Sequence, residues 1–380
     1  MNDVQVCTRC VMDTTMQDTW FDAQGVCNHC KRYDEQMASS PNHDGHGQER
    51  LAVIVDQIKA SGKGKKYDCL IGVSGGVDST YIAYQIKNLG LRPLAVHLDN
   101  GWNSELAVSN IEKTLKKLDI DLYTHVIPWE EFKDLQKSFL RASVPHCEHP
   151  TDHAILGLLY SIAAREGIGY IISGHNIATE GISFRAGGRG QRDWLYIKNI
   201  HERFGTRKLT GYPHFTLWDS VRYKLFNRQK TVRILNYLPY NKEEAMKILE
   251  NELGWKYYGG KHYESIYTRF FQGYILPIKF NVDKRKAHLS SLICGGQTTR
   301  EQALAELAQP PYPPETQEED RLFVIKKLGL SEEEFAGIMA LPCKRFSDYP
   351  SYDTTFWYKY AVDMYARFKS VLGLSPETVK

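Results

Sequence analysis

Six residues, Ser74-Gly75-Gly76-Val77-Asp78-Ser79, stand between a run that reads as a buried strand and a run that reads as a helix. The preceding Asp68-Cys69-Leu70-Ile71-Gly72-Val73 is nearly all apolar, as a strand covered on both faces of a parallel sheet requires. The following Thr80-Tyr81-Ile82-Ala83-Tyr84-Gln85-Ile86 predicts a helix. Strand, glycine turn and helix N-terminus in that order commit the chain to an α/β unit and build an anion site. The glycines let backbone N–H groups approach a phosphate, and the helix dipole adds about half a positive charge there. Ser74 and Ser79 offer further donors, and Asp78 can orient the loop or hold a divalent cation. The motif departs from two commoner phosphate loops: no Gly-Lys-Ser/Thr follows it, and it lacks the Gly-x-Gly-x-x-Gly spacing. The bland alternative is an ordinary glycine-rich turn.

Alternation continues after the loop. Pro93–Asp99 and Leu122–Ile127 read as strands, helices are expected near 105–118, 130–142 and 152–166, and Tyr170–Ser173 reads as a fourth strand ending in Gly174-His175-Asn176. Such a pattern predicts a doubly wound parallel sheet whose ligands sit at the carboxyl ends of the strands. Asp99 and the Gly174-His175-Asn176 turn both fall at such ends. Beyond about residue 200 the pattern turns mostly helical, with capping boxes expected at Asn241 and Ser331 and a stop at Pro310–Pro314. The expected division is 1–48 for a ribbon and linker, 49–200 for the loop-bearing domain, and 201–380 for a helical region that binds substrate or partner.

Cysteine spacing constrains the N-terminus. Cys7-x-x-Cys10 and Cys27-x-x-Cys30, with sixteen residues between the pairs, have the spacing of two knuckles that share one structural Zn²⁺. A four-thiolate site is closed, so its expected role is folding. Ser39–Gly47 reads as a connector. His146, Cys147, Glu148, His149, Asp152 and His153 form a dense polar cluster, read as the rim of an active site in preference to a second metal site. Cys294, before Gly295-Gly296, reads as a packed cysteine. Residues 201–300 carry 18 Lys/Arg against 8 Asp/Glu, a net +10 that suits a phosphorylated ligand or a solvated face. No apolar run approaches the ~18 residues of a membrane span. The polar N-terminus does not read as a signal peptide, so a cytoplasmic location and no membrane partner are expected.

The hexapeptide resembles the PP-loop of ATP pyrophosphatases, the group of GMP synthetase, NAD synthetase, asparagine synthetase and several tRNA-modifying enzymes. The resemblance implies a fold of the PP-loop ATP pyrophosphatase type, with Ser74, Gly75, Gly76, Val77, Asp78 and Ser79 on the departing pyrophosphate and Asp78 and Ser79 as the catalytic pair. It further implies that Asp99, Gly174, His175 and Asn176 line the ATP site. Asp78 and Glu180 would hold Mg²⁺, with Glu180 standing where relatives carry Asp.

The ribbon ahead of the loop, Pro150–Ile155, Gly259–Glu264, Phe270-Phe271-Gln272 and Asp283–Leu292 together resemble the N-acetyl sugar amidotransferases of the WbpG/PseA type. That resemblance implies conversion of an acetamido group on a nucleotide-linked sugar, UDP being the expected carrier, into an acetamidino group for bacterial surface polysaccharide. His153, Lys261, His262, Glu264, Arg269 and Arg285 become the candidate substrate-binding residues. The chain has Asn2 where an N-terminal-cysteine glutaminase needs Cys, and no Gly-x-Cys-x-Gly turn. The resemblance therefore implies a separate glutaminase subunit and a cyclase-like subunit as ammonia suppliers. A tRNA thiolation enzyme and a non-catalytic nucleotide-binding scaffold are the alternatives. The modest net charge of +3 disfavours nucleic acid as a partner.

Overall fold

A computed structural model describes residues 4–16, 18–183, 190–260 and 263–355. Helices α1 (Asn28–Ala38) and α2 (Gly47–Ser61) precede β1 (Cys69–Gly72), the glycine loop and α3 (Val77–Asn88). Then come β2 (Pro93–Asp99), α4 (Glu105–Lys117), β3 (Asp121–Val126), α5 (Trp129–Ala142), α6 (His149–Arg165) and β4 (Tyr170–Ile172). The short α7 (Ile177–Glu180), α8 (Trp194–Phe204) and β5 (Lys230–Val232) complete the α/β part. Helix α6 starts three residues before the expected 152, because Pro150 is tolerated in a first turn, where its missing N–H has no acceptor to lose.

All five strands are parallel, in the order β3-β2-β1-β4-β5. The chain leaves β1 towards β2 and β3 on one side, then returns to place β4 and β5 on the other. The switch point therefore lies between β1 and β4, where a doubly wound sheet opens a crevice. The doubly wound expectation is met. Strand β5 corrects another: it joins the sheet from a stretch expected to be mostly helical.

Side chains alternate between the sheet's faces as the pleat demands. Leu70, Leu94, Val96 and Leu98 pack with Phe132, Phe139, Leu158 and Ile197 of α5, α6 and α8. Cys69, Ile71 and Ala95 pack with Val55, Ile82, Ile86 and Ile111 of α2, α3 and α4, and with Trp255. Each large side chain buried this way contributes about 1.5–3 kcal/mol. Ser331 and Glu334 make both halves of the expected capping box, whereas Asn241 makes one half, accepting from the Glu243 and Glu244 N–H groups.

The ribbon packs on the C-terminal region. Helix Arg285–Cys294 touches α1 and α7; the Arg300 guanidinium donates to the Cys10 carbonyl at 3.1 Å and the Cys7 carbonyl at 3.0 Å. Among the described residues no helix is long and apolar enough to cross a membrane.

Candidate active site and metal centre

The glycine loop leaves β1 with Gly75 at φ +82°, a backbone state that costs a side chain about 1–2 kcal/mol. A Cβ there would also stand 2.6 Å from the Ala107 carbonyl oxygen, so a glycine is required twice over. Gly76 caps α3 with extended backbone, which aims the first helical N–H groups outward. The serines hold the turn: Gly76 N–H donates to Ser74 Oγ at 3.3 Å, and Ser79 Oγ donates to the Gly76 carbonyl at 3.1 Å. The Trp255 indole N–H donates to the Gly75 carbonyl at 2.9 Å from the opposite side.

Three residues from the C-terminal half stand over this loop. The Tyr240 hydroxyl donates to Asp78 Oδ1. The Tyr258 hydroxyl and the Glu264 carboxylate lie 3.2 and 3.4 Å from where a Gly76 Cβ would be. Burial, then the nearby Asp78 carboxylate, pushes the Tyr240 phenol far above its usual pKa, so it donates at every accessible pH. Burial and Glu264 raise Tyr258 likewise. Of these three only Glu264 was foreseen; the tyrosines lie more than 160 residues from Asp78 and carry no local signal.

On the facing turn after β4, Gly174 packs against Asp78, and a Cβ added to it would lie 3.7 Å from the Asp78 Cβ. His175 Nδ1 lies 2.7 Å from Glu180 Oε2, and the Asn176 side chain caps α7 by accepting from Thr179 N–H at 2.9 Å. Asp78 and Glu180, the two carboxylates expected to hold Mg²⁺, both help raise the pKa of Tyr240. After β2, Asp99 accepts from Gly101 N–H at 2.9 Å and shapes the turn there. His97, one strand from the loop, reaches the Val73 carbonyl at 2.9 Å through Nδ1 and Asn103 Nδ2 at 3.1 Å through Nε2.

A cavity of about 2480 Å³ opens beside the loop, lined by His175, Glu180, Arg233, Tyr263, Lys284 and Arg285 among others. The loop residues themselves do not line it. Candidate substrate residues divide. Arg269 lines the cavity but is held by Asp320 at 2.7 and 2.8 Å, and Arg285 is held by Asp283, at 2.7 Å for the closest pair. Lys261 and His262 lie outside the described residues.

His153 is a correction. It is fully buried, stacked on Phe215 at 4.6 Å, with Nδ1 on the Gln191 carbonyl at 2.7 Å and Nε2 accepting from Phe215 N–H at 3.3 Å. Burial holds its pKa down at about 4, so it is a neutral core histidine with no ring nitrogen left for a ligand. Its neighbours in the polar cluster do reach the cavity: His146, Glu148, His149 and Asp152 line it, while Cys147 is buried.

In the ribbon, Cys7, Cys10, Cys27 and Cys30 are fully buried and converge. Their sulfurs lie 3.9 Å (Cys7–Cys30), 3.7 Å (Cys10–Cys27) and 3.7 Å (Cys27–Cys30) apart. Four sulfurs at about 2.3 Å from a tetrahedral Zn²⁺ must be about 3.8 Å from one another, so the donor set fits zinc. Cys294 is packed, as expected: it lies against the core cluster that holds the four ribbon cysteines, its sulfur 3.6 Å from that of Cys30, and so joins the C-terminal region to the ribbon.

Residues 264–364 match the family model of the LPS biosynthesis protein WbpG-like, C-terminal domain. The C-terminal region is WbpG-like. No curated relative matches the chain. Among solved structures, an NMN synthetase from Francisella tularensis is 16% identical over 60% of this chain and 93% of its own, with a TM-score of 0.29. An NH3-dependent NAD synthetase from Campylobacter jejuni is 16% identical over 70% and 98%, with a TM-score of 0.30. A predicted subunit of tRNA methyltransferase from Methanocaldococcus jannaschii is 12% identical over 47% and 74%, with a TM-score of 0.27. At such TM-scores these likenesses carry no weight for mechanism.

The WbpG-like region begins at Glu264, the residue beside Gly76. Its backbone is stitched to the β2–α4 connection: Ser104 N–H donates to the Glu264 carbonyl at 2.8 Å, and Ile266 N–H to the Trp102 carbonyl at 2.9 Å. The same region supplies Lys284, Arg285 and His288 to the cavity wall.

Proposed function

We propose that this protein is an ATP-dependent amidotransferase that converts an acetamido group on a nucleotide-linked sugar into an acetamidino group. The observation that carries the reading is the meeting of the glycine loop with Glu264, the first residue of the WbpG-like region, at the switch point of the sheet. An ATP-type anion site and the region that gives the family its name thus share one crevice.

An amide oxygen is a poor leaving group, and ATP supplies the remedy. The acetamido oxygen attacks the α-phosphorus, the bond to the pyrophosphate breaks, and an O-adenylyl imidate results. Ammonia adds to the imidate carbon, gives up a proton, and AMP leaves with its bridging oxygen, so an amidine replaces the amide. In this reading the N-terminal N–H groups of α3 and the two serine hydroxyls receive the pyrophosphate charge. Mg²⁺, held by Asp78 and Glu180, would offset the remaining charge. Tyr240 holds Asp78 in place. Tyr258 and Glu264 cover the loop, and must move aside or turn to bonding as the phosphates enter. No side-chain nucleophile is needed, and the four-cysteine centre serves folding. Ammonia comes from a separate glutaminase with a cyclase-like subunit.

Thiolation of tRNA is the weaker reading, since it calls for accessible cysteines near the loop. Cys69 and Cys147 are buried, and the Cys147 thiol faces the Val144 carbonyl.

The test is to incubate the full chain with ATP, Mg²⁺, ammonium and a UDP-linked diacetamido hexuronic acid, following AMP and sugar mass. Sugar-dependent AMP with a product about one mass unit lighter, both lost in Asp78→Ala, supports the reading. Turnover that requires tRNA and a sulfur donor instead would replace it.

A further inference from the structure

A fifth thiol stands against the four-cysteine centre. The sulfurs of Cys7, Cys10, Cys27 and Cys30 all lie within 4.8 Å of one another, and Cys294 is outside that set. Its sulfur lies 3.6 Å from that of Cys30. Four thiolates complete a tetrahedral zinc site, so Cys294 has no place in the metal's own sphere. Its position is nonetheless held. Lys286, Ser290 and Cys294 recur every four residues on the helix Arg285–Cys294, which puts them along one face. Each meets the ribbon: Lys286 Nζ pairs with Asp13, Ser290 Oγ accepts from Val11 N–H at 3.3 Å, and Cys294 reaches Cys30.

Exposure separates the two sulfurs. Cys30 is fully buried, whereas Cys294 is half-buried at the end of its helix, where Gly295 and Gly296 follow. A small oxidant therefore meets Cys294 first, and oxidation of thiols follows their exposure. A disulfide needs about 2.05 Å between sulfurs, so the pair must close by about 1.5 Å, which is a small side-chain rotation. The other cysteines outside the centre are placed differently. Cys69 and Cys147 are buried, and the exposed Cys343 donates its thiol to the Lys279 carbonyl.

We propose that Cys294 is a peroxide-sensitive thiol which, once oxidised, forms a disulfide with Cys30 and so opens the zinc site. The Cys294 sulfur takes one oxygen of a hydroperoxide as the O–O bond breaks, its thiol proton leaves with the other oxygen as water, and a sulfenic acid results. The Cys30 sulfur then attacks that of Cys294; the S–O bond breaks, and hydroxide leaves and takes up a proton. Together the two sulfurs lose two electrons, and hydrogen peroxide becomes two waters. Three thiolates remain, too few to close the site, and zinc affinity falls. The disulfide then ties α1 to the end of the helix Arg285–Cys294, so the ribbon stays docked when its metal goes. This device stands on the four-cysteine centre alone and does not depend on which substrate the glycine loop serves.

The experiment treats full-length, zinc-loaded protein with hydrogen peroxide and follows zinc release with a chromogenic chelator. Peptide mapping without reductant identifies the cross-link, and Cys294→Ser and Cys294→Ala are compared with the unaltered chain. The expected result is a Cys30–Cys294 disulfide, zinc release about tenfold slower in both variants, and recovery of zinc binding after dithiothreitol and fresh zinc. Zinc content before treatment is the folding control for the variants and should match that of the unaltered chain. Release at an unchanged rate from the variants, or disulfides confined to the four ribbon cysteines, would overturn the proposal. So would zinc that stays bound in the unaltered chain while Cys294 is carried on to the sulfinic acid, a result read without any variant. Variants that hold no zinc before treatment would make Cys294 part of the metal site itself and end its role as a sensor.

Discussion

In the ribbon, four sulfurs within 4.8 Å of one another surround one point, and the sequence presents them as two short, self-similar knuckles. In the glycine loop, the turn is equally local, but what closes over it comes from afar: Tyr240 onto Asp78, Trp255 onto Gly75, Tyr258 and Glu264 beside Gly76. The first arrangement is made to stay shut around a metal. The second is covered by side chains from distant segments, two of which hydrogen-bond to the loop while two only pack beside it. A folding centre and a reaction centre thus differ less in their own residues than in how exchangeable their outer contacts are.

Removing a zinc ligand gives the largest expected effect. Structural zinc contributes about 10 kcal/mol or more to small ribbons, so Cys27→Ser should lose the metal and unfold the ribbon. Metal analysis by mass spectrometry should fall from near one zinc per chain to almost none, and hydrogen exchange should rise over 4–38 while β1 and β2 keep their protection. If β1 loses protection to the same degree, the two centres are one cooperative unit and the contrast fails.

Next comes the loop backbone. Gly75→Ala meets both a positive φ and the Ala107 carbonyl, so about 2–4 kcal/mol of stability should be lost, together with ATP binding. Gly64 has nearly the same φ, +77°, and an added methyl group would meet nothing within 4 Å, so Gly64→Ala should cost only about 1 kcal/mol. Urea denaturation of the pair measures the crowding alone. Equal losses would mean that the close approach to Ala107 does not matter.

The local elements were readable because their information is local. Pro93–Asp99 is a strand from end to end as expected, its apolar run being bounded by a proline and a turn aspartate. The knuckles carry their spacing in the sequence. Strand β5 was not readable: Lys230-Thr231-Val232 is too short to show a period and gains its place by pairing with β4. His153 misled because a histidine in a polar cluster looks like a ligand until stacking on Phe215 and Trp194 shows it to be core. Tyr240, Tyr258 and Cys294 acquire their meaning from tertiary contacts, which no spacing rule encodes.

Tyr240→Phe tests whether the covering contacts serve the loop. It keeps the ring and removes one hydrogen bond to a carboxylate, worth about 1.5 kcal/mol. Carried to the transition state, that is about tenfold in AMP formation. The phenol stays protonated throughout, so the ratio of variant to unaltered rate should be flat from about pH 6 to about pH 9. A ratio that changes with pH would show that Tyr240 itself takes part in proton transfer.

The smallest expected effect lies at the seam. Arg300 donates to the carbonyls of Cys7 and Cys10, the two ligands of the first knuckle. Arg300→Ala should cost about 1–2 kcal/mol of stability, because two charge-assisted hydrogen bonds are lost at a half-buried site where water can partly replace them. Zinc should leave faster when the protein is challenged with a chelator, since the knuckle backbone opens more often. Affinity for α,β-methylene-ATP should stay within twofold, because the seam meets the ribbon on the side of the helix Arg285–Cys294 and not at the glycine loop. A larger loss would reveal a path through that helix to α7, where the His288 ring meets the Thr179 carbonyl at 3.1 Å, and from α7 to Glu180. The ribbon would then act on the geometry of the reaction centre as well as on the folding of its own segment, and the division between a centre that folds and a centre that reacts would hold only while zinc is bound.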